Sequence, residues 1–358
     1  CGPCQTGVAG PHAGYGAATC SPAYGAGGAG LGKLKRTLSK LHLPGSGGHC
    51  GGWFGGFYYL HLNRGDDNFG KPLAYDSANP TMTVLATGFA RMDDSSAAGV
   101  RVGKMINPCS AIEFIYWQAF PDDQTAVADA AFVGAPVSSF IDFESLAYDN
   151  FACGGPSPVN DYFTDAQYMS VTRTYDYSNF ELNFINLPFV FGGNQNARAR
   201  LALLAGVRYF RAEEQLSFFS DDLNNMPYDD PANELRYYNE IENNLIGFQL
   251  GALLDWRFTC RLSGQLGSKV GIYNNYMRHV QAVAGGTGSA FITTGPYAGQ
   301  AWALDTDKED FAFLGEIDAG LSYCLTSNWR LTGGYKFVTV SGYATATRQL
   351  PQSYDNLA

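Results

Sequence analysis

The sequence predicts an all-β fold: a transmembrane antiparallel β-barrel of about 10–12 strands behind a low-complexity N-terminal arm. Three observations carry that expectation. From Trp53 onward, apolar residues recur at every second position, the period of a strand. Charged residues make up only 16%, against 14% aromatics and 43 glycines. Apolar runs of about eighteen residues are missing, so no helix is expected to cross a bilayer, whereas a barrel spreads its apolar residues along alternating strands.

The arm occupies residues 1–50, the barrel 51–358. The arm opens "CGPC", the spacing of a redox dithiol. Such a dithiol needs a strand before it and a helix after it. Here a Gly/Ala/Pro tract follows Cys1 and Cys4, so cross-links are expected instead. With Cys20 and Cys50, these cysteines are expected to bind one another or a neighbouring subunit. Two further readings stay open: a cleaved signal peptide, and lipidation of Cys1. Within the arm, "LGKLKRTLSKLHL" sets Leu31, Leu34, Leu38 and Leu41 on one helical face among basic residues. That face suits an anionic membrane surface, the acidic remainder of the chain, or solvent.

The barrel strands follow in order. Weak candidates start at Trp53, Met82 and Ala111, the last bringing Glu113 to the polar side. Val100, Val102 and Ile106 oppose Arg101 and Gly103. Phe180, Leu182 and Phe184 oppose Glu181 and Asn183. Leu201, Leu203, Val207 and Tyr209 alternate with Arg200 and Arg208. The clearest stretch is "LIGFQLGALLDWRF", where Ile246, Phe248, Leu250, Leu254 and Trp256 alternate with Gln249, Asp255 and Arg257. After the link Thr259-Cys260, Leu262, Leu266, Val270 and Ile272 oppose Arg261, Gln265 and Lys269. Phe311, Phe313, Ile317, Leu321 and Tyr323 oppose Glu316 and Asp318; Leu331, Tyr335 and Phe337 oppose Arg330 and Lys336. Links alternate short and long in the second half, with long loops near 213–238 and 281–310, as in outer-membrane barrels. The 120–168 segment breaks the rule. Either "AFVGAPVSSFIDF" hides a strand or the segment folds into the lumen.

Alternation alone leaves the orientation open, because a soluble sandwich would bury the apolar face. Strands near fourteen residues, aromatics at their ends and mixed charges on the polar face favour apolar-out. All the charged residues just named, with Gln249, then point inward. They would line a passive pore for small polar solutes or ions. The rival is a closed structural or interaction barrel anchoring an envelope assembly through its arm, because so few strands enclose a modest interior.

The net charge of −10 argues against nucleic acid. No Walker A sequence occurs, no G-x-G-x-x-G opens a helix, and the five histidines make no triad, so neither enzyme nor cofactor is expected. Acidic stretches at Asp221, Asp222, Asp229 and Asp230, and at Asp305, Asp307, Glu309 and Asp310, offer hard oxygen ligands for calcium, although solvated acidic loops are commoner. Cys260 and Cys324 share the short-turn edge and form one candidate disulfide; Cys109 and Cys153 form another.

Four stretches, "GFYYLHLNRG", "LLAGVRYFRAEEQLSF", "NEIENNLIGFQLGALLDWRF" and "LTGGYKFVTVSGYATATRQLP", resemble the β-barrel porins of planctomycete bacteria over roughly 53–351. The resemblance implies a bacterial outer-membrane barrel, with the lipid bilayer and a homo-oligomer or envelope complex as partners, and carries no catalytic residues. The ending "QSYDNLA" departs from the terminal aromatic of many porins.

Overall fold

The computed structural model describes residues 52–350, apart from 64–69, 92–93, 108, 151–154, 192–198, 223, 225–228, 230, 260 and 327–328. The arm, with Cys1, Cys4, Cys20, Cys50 and its basic segment, lies outside the described residues, as do Cys153 and Cys260.

The described residues contain seventeen strands, eleven of them in the main sheet, where about 10–12 were expected from the alternation. They are β1 (Trp53–Asn63), β2 (Pro72–Asp76), β3 (Asn79–Ala86), β4 (Asp94–Asn107), β5 (Ser110–Ala119), β6 (Asp122–Asp129), β7 (Val137–Ser139), β8 (Leu146–Asn150) and β9 (Gly155–Pro158). After these come β10 (Tyr168–Phe191), β11 (Ala199–Asp221), β12 (Glu234–Arg257), β13 (Leu262–Gly285), β14 (Gly288–Ser289), β15 (Phe291–Ile292), β16 (Ala303–Cys324) and β17 (Arg330–Ser341). Two one-turn helices, α1 (Ala130–Val133) and α2 (Val159–Tyr162), precede β7 and β10 respectively.

One 11-stranded antiparallel sheet makes the barrel wall, in the order β1-β4-β5-β10-β11-β12-β13-β16-β17, with β6 and β14 attached to β10 and β13. Pro121, which has no N–H to give a ladder, separates β5 from β6; the two strands then pair with successive stretches of β10. Among the described residues, β1 and β17 form the sheet's two edges and share no ladder. Each step along the wall reverses direction, so these edge strands run the same way.

The principal strands are longer than alternation suggested. β10, β12 and β13 each have 24 residues and β11 has 23. The long loops expected at 213–238 and 281–310 are therefore largely strand. Beyond Arg211 the outward side turns polar and the inward side apolar, which reverses the amphipathic signal, yet the ladder continues to Asp221↔Glu234.

The orientation is apolar-out. Phe248 is 76% exposed and Leu250 64%, whereas inward-facing Arg208 is 2% exposed. Water would reject such an outer surface; hydrocarbon accepts it. On β12 this band runs from Ile246 to Trp256, close to the 9–11 residues of a tilted crossing. Directly above it, a cross-strand row of Asp176, Glu213, Glu242, Arg278 and Asp307 marks the return to water.

The 120–168 segment contributes both to the wall and to the interior. β6 joins the wall; the described residues of 130–167, with β2, β3 and β15, pack a cap inside the long-loop end. Leu73, Val137, Phe143, Tyr148 and Phe163 of the cap meet inward-facing Leu216, Phe218, Leu235 and Tyr237 in one buried apolar cluster.

Candidate functional site

The inward positions converge at the height of the apolar band. Glu181 on β10, Arg208 on β11, Lys269 on β13 and Glu316 on β16 form one ionic cluster. Arg208 Nη1 lies 3.0 Å from Glu316 Oε2 and 3.8 Å from Glu181 Oε1. Lys269 Nζ lies 3.0 Å from Glu181 Oε2 and 2.8 Å from Glu316 Oε1. Both Glu181–Lys269 and Arg208–Glu316 skip two intervening wall strands, so these pairs span the lumen. The four side chains are at most 6% exposed, and their charges sum to zero.

Neutral amides complete the cluster. Arg208 Nε donates to Asn179 Oδ1 at 2.5 Å, and Gln249 Nε2 donates to Glu181 at 2.9 Å and to Asn183 at 2.7 Å. Lys336 bonds Glu316 and also lies 2.8 Å from Asp318. Arg101 pairs with Glu113 on the neighbouring strand. Tyr58 and Phe54 of β1 fill the wall opposite Gly99 and Gly103. A Cβ at either glycine would come within 2.3 and 2.1 Å of those rings, so only glycine admits them. The inward glycines thus serve close packing of aromatic rings.

Toward the short-turn end comes an apolar layer of Ile185, Leu187, Ala202, Leu204 and Leu253. Below it Arg200 pairs in register with Asp255. Arg200 is buried, Asp255 and Arg330 are half-buried, and Arg257 and Arg261 are exposed at the rim. Gln265 reaches Ser322, which bonds Thr332 at 2.9 Å. The 14 inward candidates therefore divide into a buried midheight cluster and a more open arginine-rich rim.

Toward the long-loop end, Arg173 Nη2 lies 2.9 Å from Glu214 Oε1, both buried. Asn239, Asn243 and Asn275 stand above the cluster, each fully buried. Sequence reasoning passed over them because neutral amides carry no charge signature. For Asn239 and Asn243, their placement four residues apart in "NEIENN", on one strand face, was the available signal. His279 Nε2 sits 2.9 Å from Asn239 Oδ1, and burial lowers its pKa.

On the outer surface, Arg211 bonds Glu242 at 2.6 Å and Glu213 at 2.5 Å. Burial, then the neighbouring Glu240, push the Glu213 carboxyl above its ordinary range. Asp305, Asp307 and Glu309 follow one another along the outward face of β16, about 6.6 Å apart at each step. Arg278 binds both oxygens of Asp305, at 3.0 and 2.7 Å. Among the loop acids, Asp221 and Asp229 converge with Glu234, one oxygen of each lying within 4.8 Å of the others. Glu234 belongs to the next strand, which loop spacing could not reveal. Cys109 lies in the β4–β5 turn, and Cys324 ends β16, its N–H donating to Arg261 O at 2.9 Å.

No curated protein matches the chain in sequence. Residues 74–357 match the family model described as Putative beta barrel porin-7 (BBP7). With an all-β wall, an apolar exterior and a polar interior, the chain belongs to this family of membrane-embedded β-barrel porins.

Proposed function

We propose that this chain is an outer-membrane barrel whose lumen is shut at rest, a structural or interaction barrel and not a steadily open passive pore. The observation that carries the reading is the lumen-spanning cluster of Glu181, Arg208, Lys269 and Glu316. Lumenal charges that served an aqueous channel would face water; these face one another. Parting them costs several kcal/mol per ion once their partners are lost. The cap above and the apolar layer below add two further barriers.

Passive permeation of small polar solutes or ions is the second reading. It is favoured by the family and by the arginine-rich rim, and it requires the cluster to separate. Neither reading is enzymatic. Pairing with a further copy or an envelope partner is supported by the exposed edges β1 and β17, because an edge left in hydrocarbon strands its backbone polar groups.

Planar-bilayer recording on the purified full chain tests the proposal. The expected trace is flat at moderate voltage. Stable conductance from every inserted barrel would establish the open-pore reading instead.

A further inference from the structure

Beyond β17 the chain does not continue along the wall. Gly342, at φ +75°, turns it inward; a Cβ there would lie 2.3 Å from Phe311 O. The segment Gly342–Leu350 then crosses the long-loop mouth beneath the cap, ending in a short 3-10 turn, Ala346–Gln349. It lies on a track of polar side chains that hold its backbone. Asn275 Nδ2 donates to Gly342 O at 2.9 Å. Asn243 binds both backbone polar groups of one residue, donating to Ala344 O at 2.9 Å and accepting from Ala344 N at 3.0 Å. Asn239 Nδ2 donates to Ala346 O at 2.8 Å, and Ala346 N donates to Glu214 Oε2 at 3.1 Å. Gln281 reaches Gln349 O at 3.2 Å, and Lys71 Nζ caps Leu350 O at 2.8 Å.

Two features distinguish this from ordinary tail packing. First, these bonds all reach backbone atoms of the segment, while its side chains make apolar contacts: Ala346 at 0% and Leu350 at 4% exposure in the cap cluster, and half-buried Tyr343 against the lower cluster of Phe210, Leu245 and Tyr273. Second, the track is built for occupancy. Asn239, Asn243, Asn275 and Glu214 are all fully buried. Emptied of a peptide, such groups would bear the desolvation cost of unmade hydrogen bonds. Asn275 Oδ1 still accepts no hydrogen bond, a valence that a peptide N–H could use.

We propose that the long-loop mouth is a peptide-binding site, occupied in cis by residues 342–350. Its ligand class is a short peptide read through its backbone, with a small residue and an aliphatic residue four positions later. The site is independent of whether the lumen conducts.

The test uses a fluorescein-labelled peptide, GYATATRQL, and the barrel deleted from Tyr343 onward. The deleted barrel should bind the peptide at least tenfold more tightly than the full chain, whose own segment competes. Ala346→Trp in the peptide, or Asn243→Leu in the deleted barrel, should each weaken binding tenfold or more. A peptide changed at Thr345, Thr347 and Arg348 should bind as well as the parent. If the deletion prevents folding, a protease site at the exposed Ser341/Gly342 junction, cut after folding, opens the same site to exchange. Absence of binding to the folded deleted or cut barrel overturns the proposal. So does equal binding of the Ala346→Trp peptide.

Discussion

Replacing Lys269 by Met asks whether the lumen is held by charge complementarity or merely filled. Lys269 faces Glu181 at 3.0 Å and Glu316 at 2.8 Å. At an effective dielectric of about 20, each attraction is worth roughly 5 to 6 kcal/mol gross. Desolvation of the ammonium and repulsion from Arg208 cancel most of that sum. What the variant exposes is the cost of leaving two buried carboxylates to share the remaining cations, about 3–5 kcal/mol. Glu181→Gln in the same chain removes one of those carboxylates and leaves Arg208 facing Glu316. The double variant should therefore be more stable than the sum of the single losses predicts, by at least about 1.5 kcal/mol, within the range for contacting pairs. Urea unfolding in detergent, followed by tryptophan fluorescence and by heat-modifiable gel mobility, measures all four corners of the cycle. A Lys269→Met loss below about 0.5 kcal/mol, or singles that add within that margin, would refute the reasoning and with it the ion-pair seal.

Two further expectations concern the lipid face and the cysteines. Leu250→Arg, in the middle of the exposed band, should cost about 2–4 kcal/mol in bilayers, whereas a water-facing surface would absorb it within about 0.5 kcal/mol; unfolding in liposomes decides which. Cys109 and Cys324 are expected to be half-cystines, and the register that brings Cys324 beside Arg261 favours Cys260 as its partner. Maleimide should label neither residue before reduction and both after it, and labelling of unreduced protein would contradict the pairing.

Much of the wall was legible because alternation is local. A residue's face depends only on its position modulo two, so Phe248 out and Gln249 in follow from the sequence alone once lipid is taken as the surroundings. The same reasoning placed Glu181, Arg208, Lys269 and Glu316 on one side of their strands. It misjudged strand length where the outward face turns polar and the inward face apolar, as beyond Arg211 with Leu216 and Phe218 turned in, because there the contrast that marks the strand reverses. Pro121 marked a break that was readable, but not that β6 would resume beside β10.

What the sequence by itself determined is the strand period and which residues share a face, the apolar ones on one side and the charged ones on the other. Only the tertiary structure decided which charges meet. Glu181 and Lys269 are separated by two wall strands and many residues, and their contact depends on how far the sheet curls, a property of shear and stagger that no local pattern encodes. The same holds for the buried asparagines. Until the segment after Ser341 turns inward, Asn239, Asn243 and Asn275 are unremarkable polar residues on a strand; its backbone, supplied from about a hundred residues away along the chain, gives their hydrogen bonds somewhere to go.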